Sequence, residues 1–172
     1  SYNRCPPWYV SLLCLQTAKE GGVSGLVSLY AAHNEMRHRH PALLSRLYED
    51  FIFDRQREHS PDDIRVLRHP MFELKAGKLI ARLSRFQVMN GQKLAGEELD
   101  SRGKEALEAF EEILNDPRMV KEFYFEPGQI QIVENRLCGH RRTGFSDWPE
   151  PEHRRHLVRL WLRGEGRPFY NG

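Results

Sequence analysis

The sequence predicts a mostly-β domain, a sandwich or jelly roll with helices packed on one side. Three observations carry this. Short apolar runs of strand length recur along the chain. Helical periodicity marks only three stretches. The 172 residues fit one domain, long enough to build its own core.

The elements follow in order. "WYVSLLCLQ" (8–16) is apolar and reads as a buried strand. "KEGGVSG" then makes a turn, and Ser24 is expected to cap a helix whose apolar face is Leu26, Leu29, Tyr30 and His33. A second helix is expected from Pro41, burying Leu43, Leu44, Leu47 and Phe51. Residues 54–68 are charged and contain Pro61, so an exposed loop is expected, with Asp62 and Asp63 in water. Short strands are expected over 70–75, 78–83 and 85–89. The clearest helix is 101–115, capped by Ser101, with Ala106, Leu107, Phe110, Ile113 and Leu114 on one face. "EFYFEPGQIQIVEN" holds two strand-like runs broken at Pro127-Gly128. "RLCGHRRTGFSDWPEPE" reads as irregular, and "RRHLVRLWLR" (154–163) as the closing strand.

That last strand is apolar on both faces, so it is expected to be buried on both sides. Val158, Leu160 and Leu162 should pack outward beneath the helices, leaving Arg155 and Arg159 inward beside Leu157 and Trp161. A buried guanidinium that loses its partner costs roughly 3–5 kcal/mol, so inward arginines need anions. Internal carboxylates could serve, or those of a ligand, which the planar fork of arginine meets bidentately. A position at the sheet edge, paired with surface glutamates, is equally open on this pattern alone.

Charge and composition exclude several classes. With 26 basic and 24 acidic residues the formal net charge is +2, which disfavours nucleic acid as a partner. No apolar run approaches the roughly 20 residues of a membrane helix, and no signal-peptide pattern is visible. Cys5, Cys14 and Cys138 are odd in number and form no CxxC pair, which argues against a disulfide framework or zinc site and for a cytoplasmic setting. Cys138 reads as a small core residue. "RHRH" (37–40) reads as a solvated helix end. Asp50 and Asp54 flank Phe51 and Phe53 in a packing pattern, and Trp148 reads as a surface-packed ring.

"NRLCGHRRTGF" followed by "RRHLVRLWL" resembles the carboxy-terminal signature of the TauD/TfdA family of iron(II)- and 2-oxoglutarate-dependent dioxygenases, which includes clavaminate-synthase-like members. The pattern, N-R-x-x-x-H-G-R-x-x-F, a spacer, then R-x-L-x-R, is matched by Asn135, Arg136, His140, Arg142, Phe145, Arg155, Leu157 and Arg159. Pro127-Gly128 falls where the family has a P-G turn. At the other end, Pro6, Pro7, Gly21, Gly22 and Ser24 match a strand and Gly-Gly turn. The likeness is vague between about 55 and 120.

The resemblance implies a double-stranded β-helix (jelly roll, cupin-like), incomplete on its N-terminal side, with 1–172 as a single oxygenase-like domain from a longer parent. It implies an iron site of two histidines and one carboxylate, with His140 as the distal histidine. Arg155 would hold the distal carboxylate of 2-oxoglutarate. Ser24, where the family more often has threonine, would give a hydroxyl hydrogen bond to the same group. Arg159 and Arg142 would face the substrate or support Arg155. Arg141 stands where the family usually has glycine, and either narrows the pocket or points to solvent. The H-x-D or H-x-E half of the triad is expected upstream of Ser1, so the chain alone is expected to bind iron poorly and to be inactive. The implied activity hydroxylates an unactivated C–H bond of a small anionic or amino-acid-like metabolite, with O2 as co-reactant and release of succinate and CO2. A homo-oligomer stays open. The alternative is a non-catalytic jelly-roll binding domain that keeps the carboxylate pocket without iron.

Overall fold

The computed structural model describes residues 6–56 and 59–164. Its elements in chain order are β1 (Tyr9–Gln16), β2 (Glu20–Gly21), β3 (Ser24–Ser28), α1 (Leu29–Arg39), α2 (Pro41–Leu44), a 3-10 turn (Ser45–Tyr48), β4 (Asp50–Asp54), β5 (Val66–Pro70), β6 (Phe72–Lys75), β7 (Lys78–Ala81), α3 (Arg85–Ala95), α4 (Ser101–Asn115), β8 (Val120–Phe123), β9 (Ile130–Glu134), β10 (Cys138–Arg142), β11 (Phe145–Ser146), a second 3-10 turn (Pro151–His153) and β12 (His156–Leu162). No helix among the described residues is long and apolar enough to cross a membrane.

Two antiparallel three-stranded sheets frame the molecule, in the orders β12-β1-β9 and β10-β3-β8. In the first, Val10 pairs with Trp161 and Val133, and Leu12 with Arg159 and Gln131. Side chains alternate across a strand, so these residues share one face with Cys14 and Leu157. Val10 and Cys14 are buried there. The opposite face carries Leu13, Leu15, Ile130, Ile132, Val158, Leu160 and Leu162. It is open: Ile132 is 62% and Leu160 57% exposed. The last strand is therefore a sheet edge covered on one face only, and the expected burial of Val158, Leu160 and Leu162 under helices does not occur.

The helices pack elsewhere. The stripe Ala106, Leu107, Phe110 and Ile113 of α4 meets Ala32 and Met36 of α1, Phe51 and Phe53 of β4, and Phe72 of β6 in one apolar core. Val27 and Val120 of the second sheet join it. That core sits behind β10-β3-β8, so it braces the strand pair that carries Ser24 and His140.

Several elements differ from the sequence expectation, each for a local reason. Ser24 lies inside β3; the cap of α1 is Ser28, whose hydroxyl accepts from the Ala31 N–H at 3.3 Å. Phe51 is buried on β4 and not on a helix, because the second helix ends at a 3-10 turn. Residues 54–68 are not simply exposed. Arg55 is fully buried, with Nη1 donating to Asp63 Oδ2 at 2.7 Å and to the Ile64 carbonyl at 2.8 Å. Residues 85–89 are helical: Ser84 accepts from the Gln87 N–H, and Gly96 ends α3 at φ +68°. Asp100, one residue before the expected Ser101, caps α4 by accepting from the Gly103 N–H at 2.7 Å. The stretch read as irregular contains β10 and β11.

Candidate active site

His140 pairs with Leu26, and Arg142 with Ser24, across β10 and β3. The alternation puts His140, Arg142 and Ser24 on the face turned toward the first sheet. Gly139 and Arg141 take the opposite face. Arg141 there donates to Glu122 Oε1 at 2.9 Å and to Asn115 Oδ1. These bonds tie β10 to β8 and the end of α4, while Arg141 stays partly exposed and still contributes to the lining beside His140.

A cavity of about 480 Å³ opens between the facing sheets. Ser24, His140 and Arg142 line it from one side, and Leu12, Gln131, Arg155 and Arg159 from the other. A second cavity, about 210 Å³, is lined by Pro7, Ser84, Asn135 and Trp161 and shares His140 and Arg159 with the first. His140 therefore lines both of these cavities. A third, mostly apolar cavity of about 160 Å³ lies along β10 against Leu107, Phe110 and Leu114 of α4, with His140 and Arg141 also in its lining. It is turned away from Ser24, Arg155 and Arg159, so the site belongs to the first two.

The first cavity is strongly cationic. Arg141, Arg142, Arg155 and Arg159 all line it, and its lining includes no carboxylate. Among the described residues no hydrogen bond or ion pair occupies the Arg155 guanidinium; the Arg155 backbone N–H donates to Asp147 Oδ1 at 2.7 Å. Burial, and then the charge of Arg142, pull the Arg155 pKa below its usual value. Arg159 rests on Trp161, its Cζ 5.0 Å from the ring centroid. Ser24 is buried beside them. Gln131, which the sequence analysis did not single out, offers a buried Oε1 with no partner among the described residues. Its signal was the period-two pattern Ile130, Ile132 against Gln131, Val133.

His140 keeps a solvent-exposed surface. Withdrawal from water is the main cause that lowers its pKa, and the charge of Arg159 acts in the same direction. That favours the neutral imidazole a metal requires. The rest of an iron site is not here: among the described residues no group of three or more His, Cys, Asp or Glu is placed to hold a metal. The donors present do not fit iron on their own. The chain does contain one His-x-Glu, His33-Asn34-Glu35, which the sequence analysis passed over. His33 lies on α1, with Nε2 2.8 Å from Tyr48 Oη and its ring edge-on to Phe72, so it is a packing residue.

Asn135 and Arg136 also make local contacts. Asn135 latches the segment before β1, its Nδ2 donating to the Pro7 carbonyl at 3.2 Å and its N–H to the Trp8 carbonyl at 2.8 Å. Arg136 stacks over Trp8 and pairs with Glu134. Trp148 is an exposed ring beneath Lys19.

The family model for "Taurine catabolism dioxygenase TauD, TfdA family" matches residues 1–161. The chain belongs to the TauD/TfdA dioxygenase family. It is 33% identical to the FR-33289 synthase of Streptomyces rubellomurinus over 97% of this chain and 52% of that protein. Its fold resembles an asparagine oxygenase in complex with Fe(II), 2S,3S-3-hydroxyasparagine and succinate, at TM-score 0.71 and 18% identity, over 94% of this chain and 47% of that one. A taurine dioxygenase from Burkholderia xenovorans is similar at TM-score 0.66 and 19% identity, over 95% of this chain and 54% of that one. The chain thus spans about half the length of the relatives it matches. TauD/TfdA enzymes are iron(II)- and 2-oxoglutarate-dependent.

Proposed function

We propose that this chain is the carboxy-terminal portion of an iron(II)- and 2-oxoglutarate-dependent dioxygenase that hydroxylates an unactivated C–H bond of a small anionic or amino-acid-like metabolite, with release of succinate and CO2. The observation that carries it is His140 in the wall of a cavity lined by arginines without a carboxylate. The two facing sheets are the corresponding part of a double-stranded β-helix.

Each residue then has a task. Arg155 meets the distal carboxylate of 2-oxoglutarate with its unspent fork. Ser24 donates its hydroxyl hydrogen to the same carboxylate. His140 supplies one ligand to iron, completed by a His-x-Asp or His-x-Glu upstream of Ser1. The metal, once bound with 2-oxoglutarate, supplies the oxidising chemistry. Arg159, shared by both cavities, faces an anionic group of the substrate, and Arg142 adds positive potential beside Arg155. The walls of the second cavity, Trp161 and Pro7 among them, orient the substrate and keep water from it. The described cysteines, Cys14 and Cys138, are free thiols, which suits a cytoplasmic enzyme.

The test is to express the chain together with the residues encoded upstream of Ser1 and assay succinate release from 2-oxoglutarate. A His-x-Asp or His-x-Glu upstream, with succinate formed only when iron is supplied, is the expected result. Upstream residues that cannot bind iron would leave a carboxylate-binding domain in place of an enzyme.

A further inference from the structure

Arg155 reaches the cavity without a protein anion to aim it. The nearby carboxylate, Asp147, accepts from the Arg155 backbone N–H and not from the guanidinium. What surrounds the guanidinium is packing. Arg155 Cζ lies over the Phe145 ring, 5.3 Å from its centroid, and Arg142 Cζ lies 4.3 Å from the same centroid. The main chain closes in at Gly22, where a Cβ would sit 3.6 Å from Arg155 Nε and 3.6 Å from Phe145 Cβ. Gly22 holds φ +73°, a conformation glycine adopts without strain.

Phe145 is itself pinned. It pairs with Gly21 in the short β2–β11 ladder, and the Gly22 N–H donates to the Gly144 carbonyl at 3.0 Å. Two like charges would otherwise move apart into water. The electron-rich face of one aromatic ring attracts both. A leucine would fill the same space but offer no such face.

We propose that Phe145 is a positioning residue: its ring, fixed by the β2–β11 ladder, holds Arg155 with its N–H fork free and Arg142 beside it, preorganising the cavity for a dicarboxylate. This rests on the reading of the cavity as the 2-oxoglutarate site. It adds the residue that aims the arginine and a purpose for the two-residue ladder. Preorganisation lowers the ordering cost that would otherwise be subtracted from affinity.

The test uses the full 172-residue chain, labelled with nitrogen-15, and follows the arginine Nε–H signals by NMR. The Arg155 signal is identified by its loss in Arg155→Lys. In the free protein the ring current of Phe145 should displace it from the bulk of arginine signals, and titration with 2-oxoglutarate should shift it further and saturably. Phe145→Leu should return the signal to the bulk and weaken the apparent affinity about three- to tenfold, whereas Phe145→Tyr should keep both near wild type. Phe145 is 41% exposed, so both variants should fold, and their thermal midpoints check this. A wild-type Arg155 signal already in the bulk overturns the proposal without any variant, as does Phe145→Leu titrating at wild-type concentrations. A displaced Arg155 signal that 2-oxoglutarate does not move would instead overturn the cosubstrate reading, and this assignment with it.

Discussion

At the scale of single residues the cavity makes a sharp claim about Arg155. Replacing Arg155 with glutamine removes a charged donor that no protein acceptor among the described residues uses, so the fold should keep most of its stability while 2-oxoglutarate binding weakens. A hydrogen bond to a charged group contributes about 1.5–3 kcal/mol, or roughly 10- to 150-fold in affinity. Calorimetric titration of the iron-loaded parent enzyme checks this, with Arg155→Lys recovering only part of the loss because the fork geometry is gone. His69 makes a different claim. Burial, and then the charge of Arg82, hold its folded pKa below the ordinary value of 6.5. The unfolded chain therefore binds the proton more readily, and stability falls as pH drops below 6.5 toward the folded value. His69→Gln should flatten that part of a stability–pH curve measured by urea unfolding. Of these residues, the sequence motif pointed to His140, Arg155 and Arg159, because spacing within one signature is a local property. It could not point to Gln131 or to the Phe145 stack. Those depend on which strands face one another across the cavity.

Elements show where local signals compete. Residues 85–95 carry a serine cap and a terminal glycine at helical spacing, yet the apolar pair Phe86 and Val88 invites a strand reading. Tertiary packing decides it. Gly91 lets α3 lie directly on β4, where a Cβ would meet the Ile52 carbonyl oxygen at 2.2 Å. Alanine normally favours a helix over glycine by about 1 kcal/mol. Here the clash is with main chain, which cannot rotate away, so Gly91→Ala should destabilise by about 1–3 kcal/mol instead. Ser84→Ala, which removes the cap of the same helix, should cost about 1 kcal/mol. Urea unfolding of the two variants measures both, and a stabilised Gly91→Ala would mean that α3 does not lie on β4 in this way. By contrast α4 was legible outright, since an apolar stripe repeated over fifteen residues leaves a helix only one way to face a core.

The whole molecule shows where the sequence misleads. An apolar strand face was expected to mean a covered face, but the apolar stripes of α1 and α4 are consumed by the core around Phe72 and Phe110. Among the described residues no helix remains for the outside of the β12-β1-β9 sheet. Neighbouring residues on β9 expose the difference. Val133 is 6% exposed and packs inward, while Ile132 is 62% exposed and points the other way. Val133→Ala should therefore cost about 2 kcal/mol, from lost burial and the cavity left behind. Ile132→Lys should change stability by no more than about 0.5 kcal/mol, because a lysine there enters water that isoleucine already touches. It should also improve solubility, since it places a charge in a contiguous apolar patch. Urea unfolding of the 172-residue chain separates the cases. Equal losses at the two positions would mean that the outer face is covered when the chain is in solution, and the sheet would then be buried on both sides after all.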